Sequence, residues 1–383
     1  MIITTTPELK KFCKKLAKYP FITVDTEFIR EKTYYPVLCL IQVGCSDMAA
    51  CVDPLAPEIN LSPLFELFLD KKVLKVFHAA RQDLEIFYHL MGKMPTPLFD
   101  TQIAAMVCGY GDAVAYQQLV EQLTPTRLDK SMRFTDWSKR PLLDKQIGYA
   151  LNDVIPLVEV YQKLTDELHQ NGRMEWLKEE QDILNDPHTY QIEDAAAWKR
   201  LKCPLKKPQE VHLFAALCAW REKTAKQKNR PRRHILKDEV ILELATIAPK
   251  TSEELDALRS IPNGFSKSET ARSLLNAIQV ALKDDPATFE KPTVRKPLKP
   301  AQKSFLEMLK LLLVIVAQQE KVAAKVVASA DDLYDFAAGD ETVAFLKGWR
   351  FELFGQKAQS LHQGKLALIY RADKGIIEFK TLD

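Results

Sequence analysis

The chain has 383 residues, of which 46% are apolar and 27% charged; that length asks for two or three domains, and that composition excludes disorder throughout. With 54 basic against 51 acidic side chains the formal charge is only +3, and the longest purely aliphatic run, Leu311 to Ala317, is far short of the roughly 18–20 residues of a membrane span. No apolar stretch precedes a small-residue cleavage site near the N-terminus, so no signal peptide is expected and a cytoplasmic location is the expectation. Four segments read as strands. Phe21–Phe28 and Leu38–Val43 are rich in β-branched and aromatic residues, Ala49–Asp53 is closed by Pro54, and Val73–Phe77 is the fourth. Helical spacing of apolar residues lies between and after them, as at Leu64 to Leu69 and Asp83 to Leu90, which makes an α/β plan.

From about residue 206 the pattern is helical only. Val211, Phe214, Ala215 and Cys218 keep the i, i+3, i+4, i+7 rule just after Pro208. Val240, Ile241, Leu244 and Ile247 mark another helix, and Ser266 with Glu269 reads as a capping box that opens a third. Residues 291–300 hold three prolines, four basic side chains and no acid, the composition of a linker. A second helical block is predicted from Gln302 to about Leu368. An offset of 92 residues superimposes Pro208 on Pro300 and Ile241–Ala245 on Leu333–Ala337, as two related bundles would; helical periodicity alone gives such matches too. Residues 374–383 read either as a short strand or as a tail. The seven cysteines are odd in number and form no Cys-x-x-Cys pair, so reduced thiols are expected rather than a disulfide framework or a thiolate zinc site.

The chemistry concentrates in Val24-Asp25-Thr26-Glu27-Phe28. In a strand, Asp25 and Glu27 project to one face. Neighbouring buried carboxylates repel and lose hydration, and a hard divalent cation relieves both; an exposed strand end with ordinary surface acids is the other reading. Two more segments fit the first. Asp83 follows the fourth strand at the start of a helix, where a dipole-favoured first-turn acid would also sit. Tyr149 and Asp153 are four apart, on one helical face. His78, just after the strand, reads either as part of this group or as structural.

In chain order, Asp-x-Glu, then Asp, then Tyr-x-x-x-Asp resembles the DEDD exonucleases with tyrosine in the third motif. The residues around these motifs, Val24 to Gly44, His78 to Phe87 and Tyr149 to Val154, together with the loop Lys130 to Leu142, resemble the ribonuclease D family. The loop departs from the family's usual pattern at Met132 and Thr135. The helical blocks are similar to HRDC domains, a likeness carried by His234 to Asp238 and by Gly348 to Gly355. The resemblance implies a multidomain protein, α/β plus all-α. A ribonuclease H-like mixed-sheet exonuclease domain would span 1–200. A first HRDC-like domain would span 206–290, a basic proline-rich linker 291–300, and a second HRDC-like domain 301–375.

It also implies a 3′→5′ exoribonuclease that releases nucleoside 5′-monophosphates, with tRNA precursors and other small structured RNAs as substrates and no membrane or obligate protein partner. Asp25, Glu27, Asp83 and Asp153 are then the expected ligands of two Mg²⁺ or Mn²⁺ ions, a number that suits phosphodiester hydrolysis, and all-oxygen ligation favours these ions over zinc. Tyr149 is expected to orient the attacking water, since a phenol of pKa about 10 is a poor base at neutral pH.

The charge is unevenly spread, from −5 over residues 1–200 to +8 over the rest, and residues 221–237 carry eight basic side chains against Glu222 alone. Arg230, Arg232 and Arg233 are therefore expected RNA contacts, with Arg133, Lys139 and Arg140 in the first domain; a solvated loop has the same composition. A DNA exonuclease of the same superfamily fits the acids equally well, because the 2′-hydroxyl contacts that distinguish the sugars are not legible. A non-catalytic RNA-binding adaptor would be expected to have lost one of the five positions. No Gly-x-Gly-x-x-Gly or Gly-x-x-x-x-Gly-Lys-[Ser/Thr] occurs among only 12 glycines, which sets aside dinucleotide and P-loop chemistry.

Overall fold

The computed structural model describes residues 1–129, 131–191, 193–285 and 297–382. They fall into two compact units. One comprises the described residues of 1–27, 39–186 and 296–383, the other those of 28–38 and 187–295. Among the described residues no helix is long and apolar enough to cross a membrane.

The first unit is built on a six-stranded sheet of β1 (Ile2–Ile3), β2 (Phe21–Ile29), β3 (Val37–Gly44), β4 (Ala49–Val52), β5 (Leu74–Phe77) and β6 (Leu98–Asp100), in the order β1-β4-β3-β2-β5-β6. β4 is antiparallel to β3, while β1–β4, β2–β5 and β5–β6 are parallel, so the sheet is mixed. The sequence shows the four longer strands. The edge strands β1 and β6 have two and three residues, too few for a period of two to register.

Helices α1 (Thr6–Leu16), α2 (Ser62–Leu69), α3 (Arg81–Met91), α4 (Thr101–Val107), α5 (Tyr116–Leu123), α6 (Asp144–Asn152), α7 (Ile155–Gln170) and α8 (Met174–Asn185) accompany the sheet. α7 has a single apolar stripe, Leu157, Val160, Leu164 and Leu168, all essentially inaccessible and packed in one cluster with Val76 of β5 and Phe99 of β6. Each such side chain contributes about 1.5–3 kcal/mol of burial. Fixing α7 on the sheet fixes its first turn, and Thr23 of β2 donates to Val154 O there at 2.8 Å. A side chain on Gly44 would meet the Thr23 hydroxyl at 2.8 Å, so glycine keeps that bond possible.

The same unit holds the C-terminal block. Helix Pro300–Glu320 starts at the residue expected to close the linker, and residues 291–296 of that linker lie outside the described residues. The block docks through a ladder of four side chains. Arg173 lies 4.7 Å over Trp176, Trp176 stacks on Trp349 at 4.3 Å and 7°, and Arg350 lies 4.3 Å over Trp349. Arg350 also pairs with Glu179 and Glu180, while Arg173 donates to Glu320 O and Lys321 O at the end of the long helix. The block does not end in a helix or a tail. Leu366–Arg371 and Ile376–Thr381 pair as an antiparallel hairpin, and its inner residues Leu366, Leu368 and Phe379 pack on the bundle.

In the second unit the long helix α9 (Pro208–Lys228) is followed by helices Arg232–Ile235, Asp238–Ile247, Ser252–Asp256 and Glu269–Ala281. Ser268, not Ser266, caps the last of these, its hydroxyl accepting from Ala271 N at 3.1 Å; Ser266 is buried in the preceding turn and donates to Asp256. The two helical blocks share their opening. Helices begin at 208 and 300, left-handed caps follow at 229 and 321, and further helices begin at 232 and 324 and at 238 and 330.

Residues 28–38 are held inside this second unit. Asn229 Oδ1 accepts from Tyr34 N and Tyr35 N, both at 3.1 Å. The buried Tyr34 hydroxyl donates to Glu222, and Arg232 pairs with the same carboxylate while lying 4.8 Å over the Tyr34 ring.

Candidate active site

β2 carries the first two acids. With a period of two, Asp25 and Glu27 share the face of Thr23, the face toward α6 and α7. Asp153 caps the C-terminus of α6, and Tyr149 lies one turn earlier on that helix. Asp25, Glu27, Tyr149 and Asp153 line one chamber of about 180 Å³, with His78 and Tyr116 closing it. Asp83 reaches the group from the first turn of α3. It is 6% exposed, and Thr26, on the opposite face of β2, donates to its carboxylate.

The turn that delivers Asp83 is held by a residue that sequence reasoning misses. Asp100 accepts from Ala79 N at 3.0 Å, Ala80 N at 2.8 Å and, as the cap of α4, Gln102 N at 2.7 Å. Ala79 has φ +58°, a conformation that disfavours a side chain by about 1–2 kcal/mol, and these bonds offset that strain. The signal in the sequence is Asp100-Thr101-Gln102 before an apolar run, a cap sequence.

Burial, before mutual repulsion, sets the protonation of the acids. Asp25 is pushed well above the carboxylate range by burial and then by Asp153, Asp83 and Glu27. Glu27 is pushed up to about 8 by burial, Asp153 and Asp83. Asp83 and Asp153 are each raised to about 7, chiefly by burial. Among the described residues no three His, Cys, Asp or Glu side chains stand as a ready-made metal cage. An all-carboxylate set that repels itself nonetheless has the donor chemistry of a hard divalent cation.

The Tyr149 hydroxyl is raised to about 12 by burial and by Asp153, Glu27 and Asp25, so it keeps its proton at neutral pH. Its ring lies 6.1 Å from that of the buried Trp137. His78 is held neutral by burial, its ring nitrogens 3.0 Å from Thr101 Oγ1 and 3.2 Å from Val114 O. Those contacts give it a structural role. Tyr116, which carries no motif in the sequence, donates to Asn152 O at 3.1 Å.

A second cleft of about 390 Å³ shares Tyr116, Tyr149 and Asp153 with the chamber and adds Leu128, Asp129 and Arg133. Lys139, also expected at this site, is exposed beside Asp136. Arg140 departs from the expected phosphate contact. Its Nε and Nη2 bind Asp53 at 2.6 Å each, and its remaining donors reach Trp137 O, Lys139 O and Cys39 O at 2.7–2.8 Å. This leaves its guanidinium no donor for RNA.

The basic stretch 221–237 is the end of α9, a turn and a short helix rather than a loop. Arg221 is buried and paired with Asp238 at 2.8 Å, and Arg232 is engaged by Glu222 and Tyr34. Arg230 and Arg233 are exposed, the latter 3.1 Å from Asp238.

Two acids of a central strand share one chamber with a Tyr-x-x-x-Asp helix, and Asp83 stands at an adjacent helix start, bound to Thr26; the class is that of the 3′–5′ exonucleases, whose family pattern matches residues 1–169, while the HRDC pattern matches residues 210–278. Ribonuclease D of Nitrobacter hamburgensis is 47% identical over 369 residues, covering 96% of each chain; that of Bartonella henselae is 44% identical over 383 residues, covering 100% of this chain and 94% of its own. The crystal structure of Escherichia coli RNase D superposes with a TM-score of 0.83 at 28% identity, over 95% of this chain and 98% of that one. The chain belongs to the ribonuclease D family and is a 3′→5′ exoribonuclease.

Proposed function

We propose that Asp25, Glu27, Asp83 and Asp153 together hold two divalent cations, Mg²⁺ or Mn²⁺, and that the protein trims the 3′ ends of tRNA precursors and other small structured RNAs in the cytoplasm, releasing nucleoside 5′-monophosphates. The observation that carries the site is the shared chamber of Asp25, Glu27, Asp153 and Tyr149, with Asp83 bound to the strand between the first two. When bound, the cations supply an acidified water and relieve charge on the scissile phosphate and the leaving oxygen. The carboxylates position them and lose their own protons in doing so. The substrate class rests on the family; E. coli RNase D is described as an exoribonuclease involved in structured RNA processing. A time course on 5′-labelled RNA tests the reading. It expects a one-nucleotide ladder from the 3′ end, absent with EDTA, and a matched DNA strand cleaved as fast would turn it toward a DNA exonuclease.

In this reading Tyr149 orients the attacking water through a hydroxyl that stays protonated. Tyr149→Phe keeps the ring against Trp137 and removes only that hydroxyl. The expected result is a fall in kcat of about 10²-fold, within the range for one positioned proton-transfer or hydrogen-bonding group, with KM little changed. Wild-type turnover by Tyr149→Phe would end the assignment.

The helical domains are assigned as two HRDC-like modules, residues 206–290 and 301–375, supported by the shared element spacing. Arg230 and Arg233 are proposed to hold RNA phosphates. Reversing both charges, with Arg232 left intact, is expected to flatten the salt dependence of RNA affinity by about one unit of slope for each phosphate no longer held; an unchanged slope rejects the role.

A further inference from the structure

Phe134 is 93% exposed, the most exposed large apolar side chain among the described residues. It sits at the tip of a turn over residues 132–135 that is closed by Thr135 N donating to Met132 O at 3.2 Å. Turn tips favour Gly, Asn, Asp or Ser, whose backbones or side chains suit the turn and the solvent. A phenyl ring there gains nothing for the fold.

The turn is nevertheless anchored. Gln146 of α6 donates to Thr135 Oγ1 at 3.0 Å and accepts from Leu143 N at 2.9 Å. Asp136 holds Ser138, Trp137 is buried near Tyr149, and Arg140 ties the end of the loop to Asp53. The ring is thus presented on a fixed support.

Its neighbour gives the direction. Arg133 lines the cleft that opens on Tyr149 and Asp153, and its guanidinium lies 5.4 Å from the Phe134 ring centroid. A cation lining the cleft that adjoins the acidic chamber, with an exposed aromatic face beside that cation, matches the two parts of a nucleotide. The cation meets the phosphate and the ring meets the base.

We propose that Phe134 is the stacking platform for one nucleobase of the RNA strand that leads into the chamber, with Arg133 on the adjoining phosphate. The proposal rests on the exoribonuclease activity. It assigns a binding residue for bases of any identity, since every base offers a π-face.

The test uses the full-length protein and a decamer RNA, with affinity measured by fluorescence anisotropy in Ca²⁺ and hydrolysis measured in Mg²⁺. Phe134→Ala is expected to weaken affinity and raise KM by on the order of 10-fold, as for the loss of one base stack, with kcat and Tm unchanged. Phe134→Trp should retain binding and Phe134→Leu should not. An abasic scan of the decamer identifies the partner. At one position the wild type should lose affinity and Phe134→Ala should not, the signature of two groups acting as a pair. Full binding by Phe134→Ala, rescue by Leu, or an equal loss in both proteins at every abasic position would overturn the proposal. The affinity arm reads the platform without turnover, and wild-type hydrolysis in the same samples reads the exonuclease assignment separately.

Discussion

Asp25→Asn should lower hydrolysis of RNA by at least about 10²–10³-fold, the scale for removing one preorganised electrostatic interaction with the reacting group, and at the same time raise the melting temperature of the metal-free protein at pH 8. The second effect follows from the direction of the shifts. All four acids bind protons more tightly in the folded chain than a free carboxylate does, with Glu27 reaching about 8. Their folded forms are therefore favoured at low pH, and this contribution fades as pH rises from about 4 toward 8. Asn at position 25 cannot ionise, so it removes the cost of charging a carboxyl that is buried and faces Asp153, Asp83 and Glu27. Each kcal/mol relieved raises Tm by about 2–4 °C in a protein of this class. Mg²⁺ should stabilise the wild type, more at pH 8 than at pH 6, because at the higher pH fewer protons must leave; the variant should respond less. Thermal melts at the two pH values, with and without Mg²⁺, read all of this. A variant that melts lower than wild type at pH 8 without metal would show that charging the buried Asp25 carboxyl carries no such cost.

Arg140→Ala should damage stability first and activity as a consequence. Asp53 is nearly inaccessible and both its oxygens are bound by Arg140, so truncation leaves a buried carboxylate with the Leu55 amide to hold it and no counter-charge. Breaking a buried pair costs about 3–5 kcal/mol. The lower figure applies here because 27% of the Arg140 side chain remains in water. The loss should show as a reduced denaturation midpoint. The double variant Asp53→Ala/Arg140→Ala should recover part of it, since no charge is then stranded. Turnover should fall in the single variant because Trp137, whose carbonyl Arg140 holds, packs near Tyr149. A variant of unaltered stability with a reduced salt slope for RNA would instead return Arg140 to phosphate contact.

What is legible in the sequence is what depends on local period. Asp25 and Glu27 two apart in a strand, and Tyr149 and Asp153 four apart in a helix, place themselves on one face by geometry alone. The alternation of strands and helices likewise marks the α/β plan and the later helical blocks. What stays hidden depends on partners far along the chain. Arg140 reads as a free cation until Asp53 is brought to it across 87 positions, and Arg232 reads as part of a basic run until Glu222 and Tyr34 enclose it. Asp100 shows its cap in sequence but not its grip on the turn before Asp83. The hairpin at 366–381 is legible only in part, since a short strand is one of the two readings of residues 374–383, and its first strand stays hidden for a different reason. Its strands are mostly exposed or half-buried and show little of the alternation that marks a strand.

The capture of residues 28–38 by Asn229, Glu222 and Arg232 bears on how such a protein can be dismantled. A fragment that ends near residue 200 keeps Tyr34 and Tyr35 but discards Asn229, Glu222 and Arg232, which hold them. It would lose the Asn229 acceptor of both backbone amides and the Glu222 partner of the Tyr34 hydroxyl only a few positions beyond Glu27. Conversely, residues 206–290 expressed alone would have an open slot beside the Glu222 carboxylate. The second unit takes in residues 28–38, which lie far earlier in the chain than its helices, so chain order and folding unit do not coincide. Swapping this module between relatives would succeed only if the eleven residues of 28–38 travel with it.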